Sequence, residues 1–131
     1  MSKVVIVNTQ RKIHVIQDEF NRLFPYLKVD FFLKPYRPDG LLRRVISPRK
    51  TIEECSPKQY RENMKITPGM TVDDLQQHVG EYYGIGVLVL RRSGKLWLET
   101  SYTSTWTLCR QNNEGETLTR VLEPGNENDK N

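Results

Sequence analysis

Residues 63–100 constrain the fold more than any other stretch, because they predict a helix with defined ends followed by a hairpin. The helix has one apolar face, formed by Val72, Leu75, Val79 and Tyr82. Thr71 precedes this face and can cap the first turn, with Asp74 completing a capping box. Gly84 follows the last turn and tolerates the left-handed conformation common at helix ends. The sequence therefore predicts a helix from Val72 to Tyr83.

A hairpin is predicted directly after this helix. The apolar residues 87–90 and the segment 96–100 flank Ser93-Gly94, where glycine supplies the positive φ of a tight turn. A two-residue turn at that position would place Leu90 opposite Trp97. The apolar side chains then divide between two faces, with Val87, Val89, Leu96 and Leu98 under the helix and Leu88, Leu90 and Trp97 on the other side.

The remaining segments predict short elements of both kinds. Residues 4–7 and 13–16 are candidate strands, and Asp18 is a candidate cap for a helix of about two turns that ends at Pro25. Residues 27–33 and 63–67 are further candidate strands, the first with the alternation of a half-buried strand. A last short helix, starting at Ser104 or Thr105, carries Trp106, Leu108 and Cys109 and ends at residues 112–115.

This order of elements favours an α+β fold with two layers, in which helices cover one face of an antiparallel sheet. We favour the ferredoxin-like, or split βαβ, arrangement with the C-terminal hairpin as an added edge strand. A β-grasp-like sheet that uses only the second half of the chain is the alternative. The single domain is expected to span residues 1–122, with a long basic loop at about 34–61 and a disordered tail at 123–131.

Composition and cysteine use favour one globular cytoplasmic domain. The chain has 131 residues, of which 37% are hydrophobic and 27% charged. No apolar run approaches the roughly 20 residues that span a bilayer, and the start of the chain lacks a signal-peptide pattern. Cys55 and Cys109 are far apart, which predicts neither a disulfide scaffold nor a structural zinc site.

No motif predicts catalysis, a metal or a cofactor. The two histidines, His14 and His78, lack metal-ligand spacing to cysteines or carboxylates. The chain has no GxSxG elbow and no phosphate-binding loop. Glu53 and Glu54 precede Cys55, and their negative charge disfavours a reactive thiolate. We therefore expect a protein that is not an enzyme.

The preferred candidate site is the apolar sheet face turned away from the helices. It is predicted to include Trp97, Leu88, Leu90, Phe32 and His14. A monomer rarely leaves such a patch bare, so we predict that Trp97 is buried by a second layer. That layer is either the chain's own segment 102–108 or another molecule, which would be a protein partner or a second copy. This hypothesis makes the protein a non-enzymatic interaction module.

The basic residues of the long loop form the alternative candidate site. Residues 34–50 contain one acid, Asp39, and the basic residues Lys34, Arg37, Arg43, Arg44, Arg49 and Lys50. Lysine and arginine on a flexible loop can neutralise phosphates, so this segment is a candidate nucleic-acid interface. Tyr36 is its only aromatic residue, and the signature of an RNA-recognition module is absent. Nucleic acid is therefore the less favoured partner.

Residues 66–115 resemble a family of small bacterial proteins of unknown function with the pattern VxRxSGxxWLET, then WTL, then QNxxG. The matching positions are Val89, Arg91, Ser93, Gly94, Trp97 to Thr100, Trp106 to Leu108, Gln111, Asn112 and Gly115. The resemblance implies a bacterial protein and implies no activity, because none is assigned to such a family.

Overall fold

The described chain forms two units. Each contains, in order, a strand, a long helix, two further strands and a last helix. The computed structural model describes residues 3–34, 43–60 and 62–122. The first unit contains β1 (Val5–Val7), α1 (Ile13–Leu23), β2 (Leu27–Leu33), β3 (Arg44–Val45) and α2 (Ile52–Cys55). The second contains β4 (Met64–Ile66), α3 (Val72–Tyr83), β5 (Gly86–Ser93), β6 (Leu96–Glu99), a 3-10 turn (Ser101–Thr103) and α4 (Leu108–Leu122).

The strands form two antiparallel sheets. β1 pairs with β4, and the larger sheet has the order β3-β2-β5-β6 with Val29 opposite Val89 in the pairing of β2 with β5. The expected α+β fold with antiparallel sheets and helices is therefore confirmed. The ferredoxin-like topology is not confirmed, because β1 and β4 lie in a sheet of their own. The β-grasp-like alternative is not confirmed either, because β2 from the first half lies in the middle of the larger sheet.

One face of the larger sheet is buried by helices. Its side chains are Leu27, Val29 and Phe31 from β2 and Val87 and Val89 from β5, each at most 3% exposed. They share one core with α1 and α3 residues such as Phe20 and Leu75. Because side chains alternate along a strand, the intervening residues of β2 and β5 lie on the opposite face.

The two units repeat each other in their contacts. In both, the start of the long helix bonds to the segment before the last helix: the Ile13 N–H donates to the Lys50 carbonyl at 2.9 Å, and the Val72 N–H donates to the Trp106 carbonyl at 3.3 Å. Equivalent bonds of 2.9 Å run from His14 to Pro48 and from Asp73 to Ser104. We call residues 5–55 the first repeat and residues 64–122 the second repeat. Since β1 pairs antiparallel with β4, and β2 with β5, the repeats face each other about an approximate two-fold axis.

The helix α1 corrects the prediction of a strand at residues 13–16 and a helix start at Asp18. Ile13, Ile16 and Phe20 are all fully buried, at the spacing of one helix face. Lys12 makes no side-chain capping bond, so the sequence carries no start signal there. β-branched residues favour strands in isolation, but burial against the sheet decides the conformation here.

Helix α3 and strand β2 confirm two predictions. The helix spans Val72–Tyr83, as the sequence predicts, with both bonds of the capping box between Thr71 and Asp74. Gly84 ends it in the left-handed conformation at φ 66°. The strand Leu27–Leu33 also has its predicted bounds.

The hairpin turn lies one residue later than predicted. Ser93 is opposite Leu96 and Arg92 is opposite Trp97, so Gly94-Lys95 form the turn. Gly94 has φ 64°, and the predicted turn would put Ser93 at this first central position, where a positive φ strains a side chain. The shift moves each pairing by two residues and therefore leaves the predicted division of side chains between the two faces unchanged.

Helix α4 is longer than predicted and runs through Gly115 to Leu122. A Cβ at Gly115 would lie 2.9 Å from the Cβ of Tyr26 and 3.1 Å from the Cγ of Arg91. This glycine therefore lets the helix approach the sheet rather than ending it. Within the predicted basic loop, the structure contains β3 and α2. Residues 35–42 of that loop and the predicted tail at 123–131 lie outside the described residues.

β3 pairs only with the end of β2, at Phe32 and Leu33. Side chains of α1 bind the rest of this edge of β2. The Asn21 Nδ2 donates to the Leu27 carbonyl and the Gln17 Nε2 donates to the Val29 carbonyl, both at 2.8 Å. The backbone N–H of Ile46, just after β3, donates to the Phe31 carbonyl at 2.8 Å. Successive outward carbonyls of β2 therefore already accept hydrogen bonds.

Candidate functional site: the open sheet face

The larger sheet has an open face opposite to the one on which α1, α3 and α4 pack. We define this open face by Lys28, Asp30 and Phe32 of β2, Val45 of β3, Gly86, Leu88, Leu90 and Arg92 of β5, and Trp97 and Glu99 of β6. Leu88, Leu90 and Trp97 are half-buried, and Val45 is 61% exposed. The face therefore has an apolar centre with charged side chains around it.

The ring of Phe32 lies across Gly86 on the neighbouring strand. A Cβ at Gly86 would be 2.2 Å from the Cε2 of Phe32, so only glycine fits beneath the ring. The two residues are directly opposite each other in the ladder. This contact buries Phe32 to 6% exposure and fills the place of the missing glycine side chain.

Cations lie over both aromatic rings of the open face. The Nζ of Lys28 is 4.9 Å from the ring centroid of Trp97, and the guanidinium carbon of Arg43 is 5.5 Å from that of Phe32. The Nη1 of Arg43 also forms a 3.3 Å ion pair with Glu99. Arg43 therefore reaches from beside β3, at one edge of the sheet, to β6 at the other.

The structure places most of the predicted residues on the open face, but one of them, His14, lies elsewhere. Phe32, Leu88, Leu90 and Trp97 share the open face as expected. His14 does not, because it is exposed in the first turn of α1. The position of His14 on the face was predicted from a strand at residues 13–16, which the structure replaces with a helix.

Of the two alternatives predicted for the layer over Trp97, the structure does not support the internal one. Tyr102 is fully exposed, and Trp106 lies on the helix side, with its ring 3.9 Å from the guanidinium carbon of Arg110. Leu108 belongs to the main core. The segment 102–108 therefore packs against α4 and the core, and Trp97 remains half-buried.

The predicted basic residues do not form one surface. Lys34 and Arg43 line one pocket beside the open face, whereas Arg49 and Lys50 lie in an exposed turn before α2. Arg44 is exposed on β3, on the opposite side of the strand from Val45. Arg37 lies outside the described residues.

The pocket beside the open face has a volume of about 210 Å³ and is lined by Phe32, Lys34, Arg43, Gln76 and Gly86 to Leu88. The Nε of Arg43 is buried there and has no hydrogen-bond acceptor among the described residues. A buried donor without an acceptor is energetically costly. Sequence reasoning could not find this pocket, because its residues come from β2, α3 and β5 and from the segments next to β2 and β3.

A polar network seats α4 on the second repeat. The Nη1 of Arg91 donates to the Oε1 of Gln111 at 2.8 Å, and the Nε2 of Gln111 donates to the Thr103 carbonyl at 2.7 Å. The guanidinium of Arg91 also lies 5.5 Å from the ring of Trp106. Arg91, Trp106 and Gln111 belong to the sequence pattern quoted above. Their contacts give that part of the pattern a packing role.

Burial favours the neutral forms of two ionisable groups, the fully buried Tyr83 and the half-buried Cys55. Burial raises the pKa of Tyr83 to about 12, and its hydroxyl donates to the Glu62 carbonyl at 2.9 Å. Burial also raises the pKa of the Cys55 thiol, and Glu54 adds to this rise while Lys50 opposes it. The direction at Cys55 agrees with the expectation of an unreactive thiol.

Within the ranges that the structure covers, no cluster of three His, Cys, Asp or Glu side chains could hold a metal ion. None of the helices in those ranges has the length and apolar character needed to cross a membrane. Comparison of the chain with protein-family models, curated proteins and solved structures found no match.

Proposed function

We propose that this protein is a non-enzymatic binding module whose open face docks a protein partner. The observation that supports this most is the apolar centre of the face, where Leu88, Leu90 and Trp97 lie together on the side away from α1, α3 and α4. An apolar patch rimmed by charged groups is the usual composition of a docking surface.

The charge of the face favours a protein over a polyanion. The cations of its rim are Lys28, Arg43 and Arg92, and its anions are Asp30 and Glu99. The two signs nearly balance, which suits a partner surface that carries both. The rings of Trp97 and Phe32 are also occupied by cations on one side, which leaves less aromatic surface for stacking bases.

Site-specific crosslinking tests this proposal. A photoreactive residue at position 90 is expected to crosslink a cellular protein, whereas the same residue at the fully exposed position 102 is not. The protein identified is then purified and titrated against the unmodified chain. Leu88→Lys is expected to weaken binding by about tenfold or more, because it puts a charge in the apolar centre.

Tyr102→Lys is the matched control for that variant, because Tyr102 is fully exposed and is not one of the residues that define the open face. It is expected to bind the partner like the parent. Thermal melts of both variants establish that the fold is retained. Equal crosslinking at positions 90 and 102, or unchanged binding by a folded Leu88→Lys variant, would refute docking on this face.

Single-stranded nucleic acid is a second candidate, supported by the pocket in which Lys34 and Arg43 converge. A labelled oligonucleotide titrated at low salt is the probe, and binding through phosphates would weaken steeply as salt rises. Lys34→Glu should then reduce affinity more than Arg49→Glu, which makes the same charge change away from the pocket. No anisotropy change at low salt would exclude this candidate.

A further inference from the structure

Strand β6 is one of the two edge strands of the larger sheet, and β3 is the other. In a two-residue hairpin, the residues that flank the turn form a hydrogen-bonded pair, and such pairs recur at every second position. Leu96 and Leu98 therefore bond to β5, opposite Ser93 and Arg91. The N–H and C=O of Trp97 point outward, and within the described chain no bond to another segment engages them.

The sequence along this edge is self-complementary. It runs Lys95, Leu96, Trp97, Leu98, Glu99. If a second copy pairs antiparallel about a two-fold axis through the outward groups of Trp97, Lys95 lies opposite Glu99 of the second copy and Leu96 lies opposite Leu98 of the second copy. In this pairing, opposite charges face each other and apolar side chains face apolar side chains.

Exposed apolar side chains flank the same edge on its helix side. Leu96 is 66% exposed and Leu98 is 41% exposed. At the last turn of α4, Val121 and Leu122 are 66% and 58% exposed. The Cβ of Leu122 lies 3.3 Å from the place of a Cβ on Gly94, so this turn borders the hairpin. A second copy at the edge would cover the two leucines of β6 and approach this turn.

We propose that two copies of this chain associate through antiparallel pairing of their β6 strands, centred on Trp97. The pairing joins the two larger sheets into one continuous sheet. It buries Leu96 and Leu98 on the helix side and sets Lys95 against Glu99 of the second copy at two symmetric places. The pairing shares Trp97 and Glu99 with the rim of the open face but leaves its centre at Leu88 and Leu90 available, so the inference goes beyond the binding function proposed above.

Sedimentation equilibrium of the full chain, from micromolar concentrations to about 1 mM, is the test. The parent is expected to form a dimer as its concentration rises. Lys95→Glu places a glutamate opposite Glu99 at both symmetric positions and should weaken the dimer about tenfold or more. The double variant Lys95→Glu with Glu99→Lys restores opposite charges and should return the dissociation constant close to that of the parent.

A backbone variant tests the strand pairing directly. Trp97→Pro removes the outward N–H and leaves the bonds from β6 to β5 in place, whereas Trp97→Thr keeps that N–H and removes only the ring. The proline variant should be monomeric across the range and the threonine variant should still dimerise. A monomeric parent, a double variant no better than Lys95→Glu, or equal dissociation constants for the proline and threonine variants would overturn the proposal. Leu88→Lys should dimerise like the parent, which keeps this test separate from that of the open face.

Discussion

The two repeats agree in their long helices and differ in how they end. In the first repeat the Gln17 Nε2 donates to the Val29 carbonyl at 2.8 Å, and in the second the Gln76 Nε2 donates to the Val87 carbonyl at 3.5 Å. Their last helices, however, have 4 and 15 residues. Only the longer one crosses the sheet, because Gly115 lets it approach and Gln111 binds Arg91 beneath it.

This difference separates two kinds of stabilisation. The shared part of the repeats is held by burial of apolar side chains from both repeats in one core. The added length of α4 depends on a small number of polar contacts with β5. Substitutions at equivalent positions of the two repeats can therefore test each kind of stabilisation alone.

The largest effect is expected from a charge in the shared core. Ile16 and Leu75 occupy equivalent positions on α1 and α3, and both are fully buried. Ile16→Asp and Leu75→Asp should each cost about 4 kcal/mol or more and abolish cooperative unfolding, because the carboxylate has no partner. Gln77→Asp, at an exposed position, is the control in the same thermal melts. A cooperative transition that survives in either core variant would mean that the two repeats fold independently.

A smaller loss of stability is expected when α4 loses its polar contacts with Arg91 and Thr103. Gln111→Leu removes the bonds to Arg91 and Thr103 and leaves buried polar groups unsatisfied, which should cost about 2–4 kcal/mol. Gln76→Leu on α3 removes one long bond and should cost about 1 kcal/mol or less. Urea denaturation of both variants gives the comparison. Equal losses would show that α4 does not depend on this network.

The third effect is the pH dependence that Tyr83 adds in the second repeat, where Phe24 takes the equivalent place in the first repeat. The folded chain holds the Tyr83 proton with a pKa of about 12, against about 10 in an unfolded chain. This contribution is intact below about pH 10 and is lost as pH rises through that window, by up to about 1.4 kcal/mol per pH unit.

Tyr83→Phe makes the second repeat resemble the first at this position and should remove that part of the pH dependence. The measurement is the free energy of unfolding in urea at several values between about pH 9 and about pH 11. Other tyrosines and lysines titrate in both proteins, so the difference between them isolates Tyr83. Parallel pH profiles would contradict the assigned pKa.

The smallest effects concern the helix starts. Thr71→Ala removes the cap of α3 and should cost about 1 kcal/mol. Lys12 has the extended conformation of a capping residue without a side-chain bond, so Lys12→Thr should supply the missing cap and stabilise α1 by about 0.5 kcal/mol. In thermal melts, Thr71→Ala should lower the stability of the protein and Lys12→Thr should raise it. A destabilised Lys12→Thr variant would indicate that the lysine has another role at this position.

The same contrast explains how much of the fold the sequence predicts. Helix α3 is predictable because its signals are local: Thr71 caps it and Gly84 ends it. Helix α1 lacks a cap at Lys12, and its first turn contains Ile13, Val15 and Ile16, which favour strands when considered alone. Its conformation is set by burial against strands that are distant in the sequence. The approximate two-fold repeat depends on the same long-range contacts.

The candidate site divides in a similar way. Alternation along the strands is enough to place Phe32, Leu88, Leu90 and Trp97 on one face, and a turn shifted by one residue does not change it. The ion pair of Arg43 with Glu99 joins the two outer edges of the sheet, and no local pattern predicts a contact of that kind.

The closed edge of β2 limits how the larger sheet can be extended by another strand. Gln17, Asn21 and Ile46 already occupy its outward carbonyls, and β3 beside it has only two residues. Of the two edge strands of the larger sheet, β6 is the longer, with four residues. Because the proposed pairing uses β6 of both copies about a two-fold axis, association through this edge stops at a pair and does not continue into a fibre.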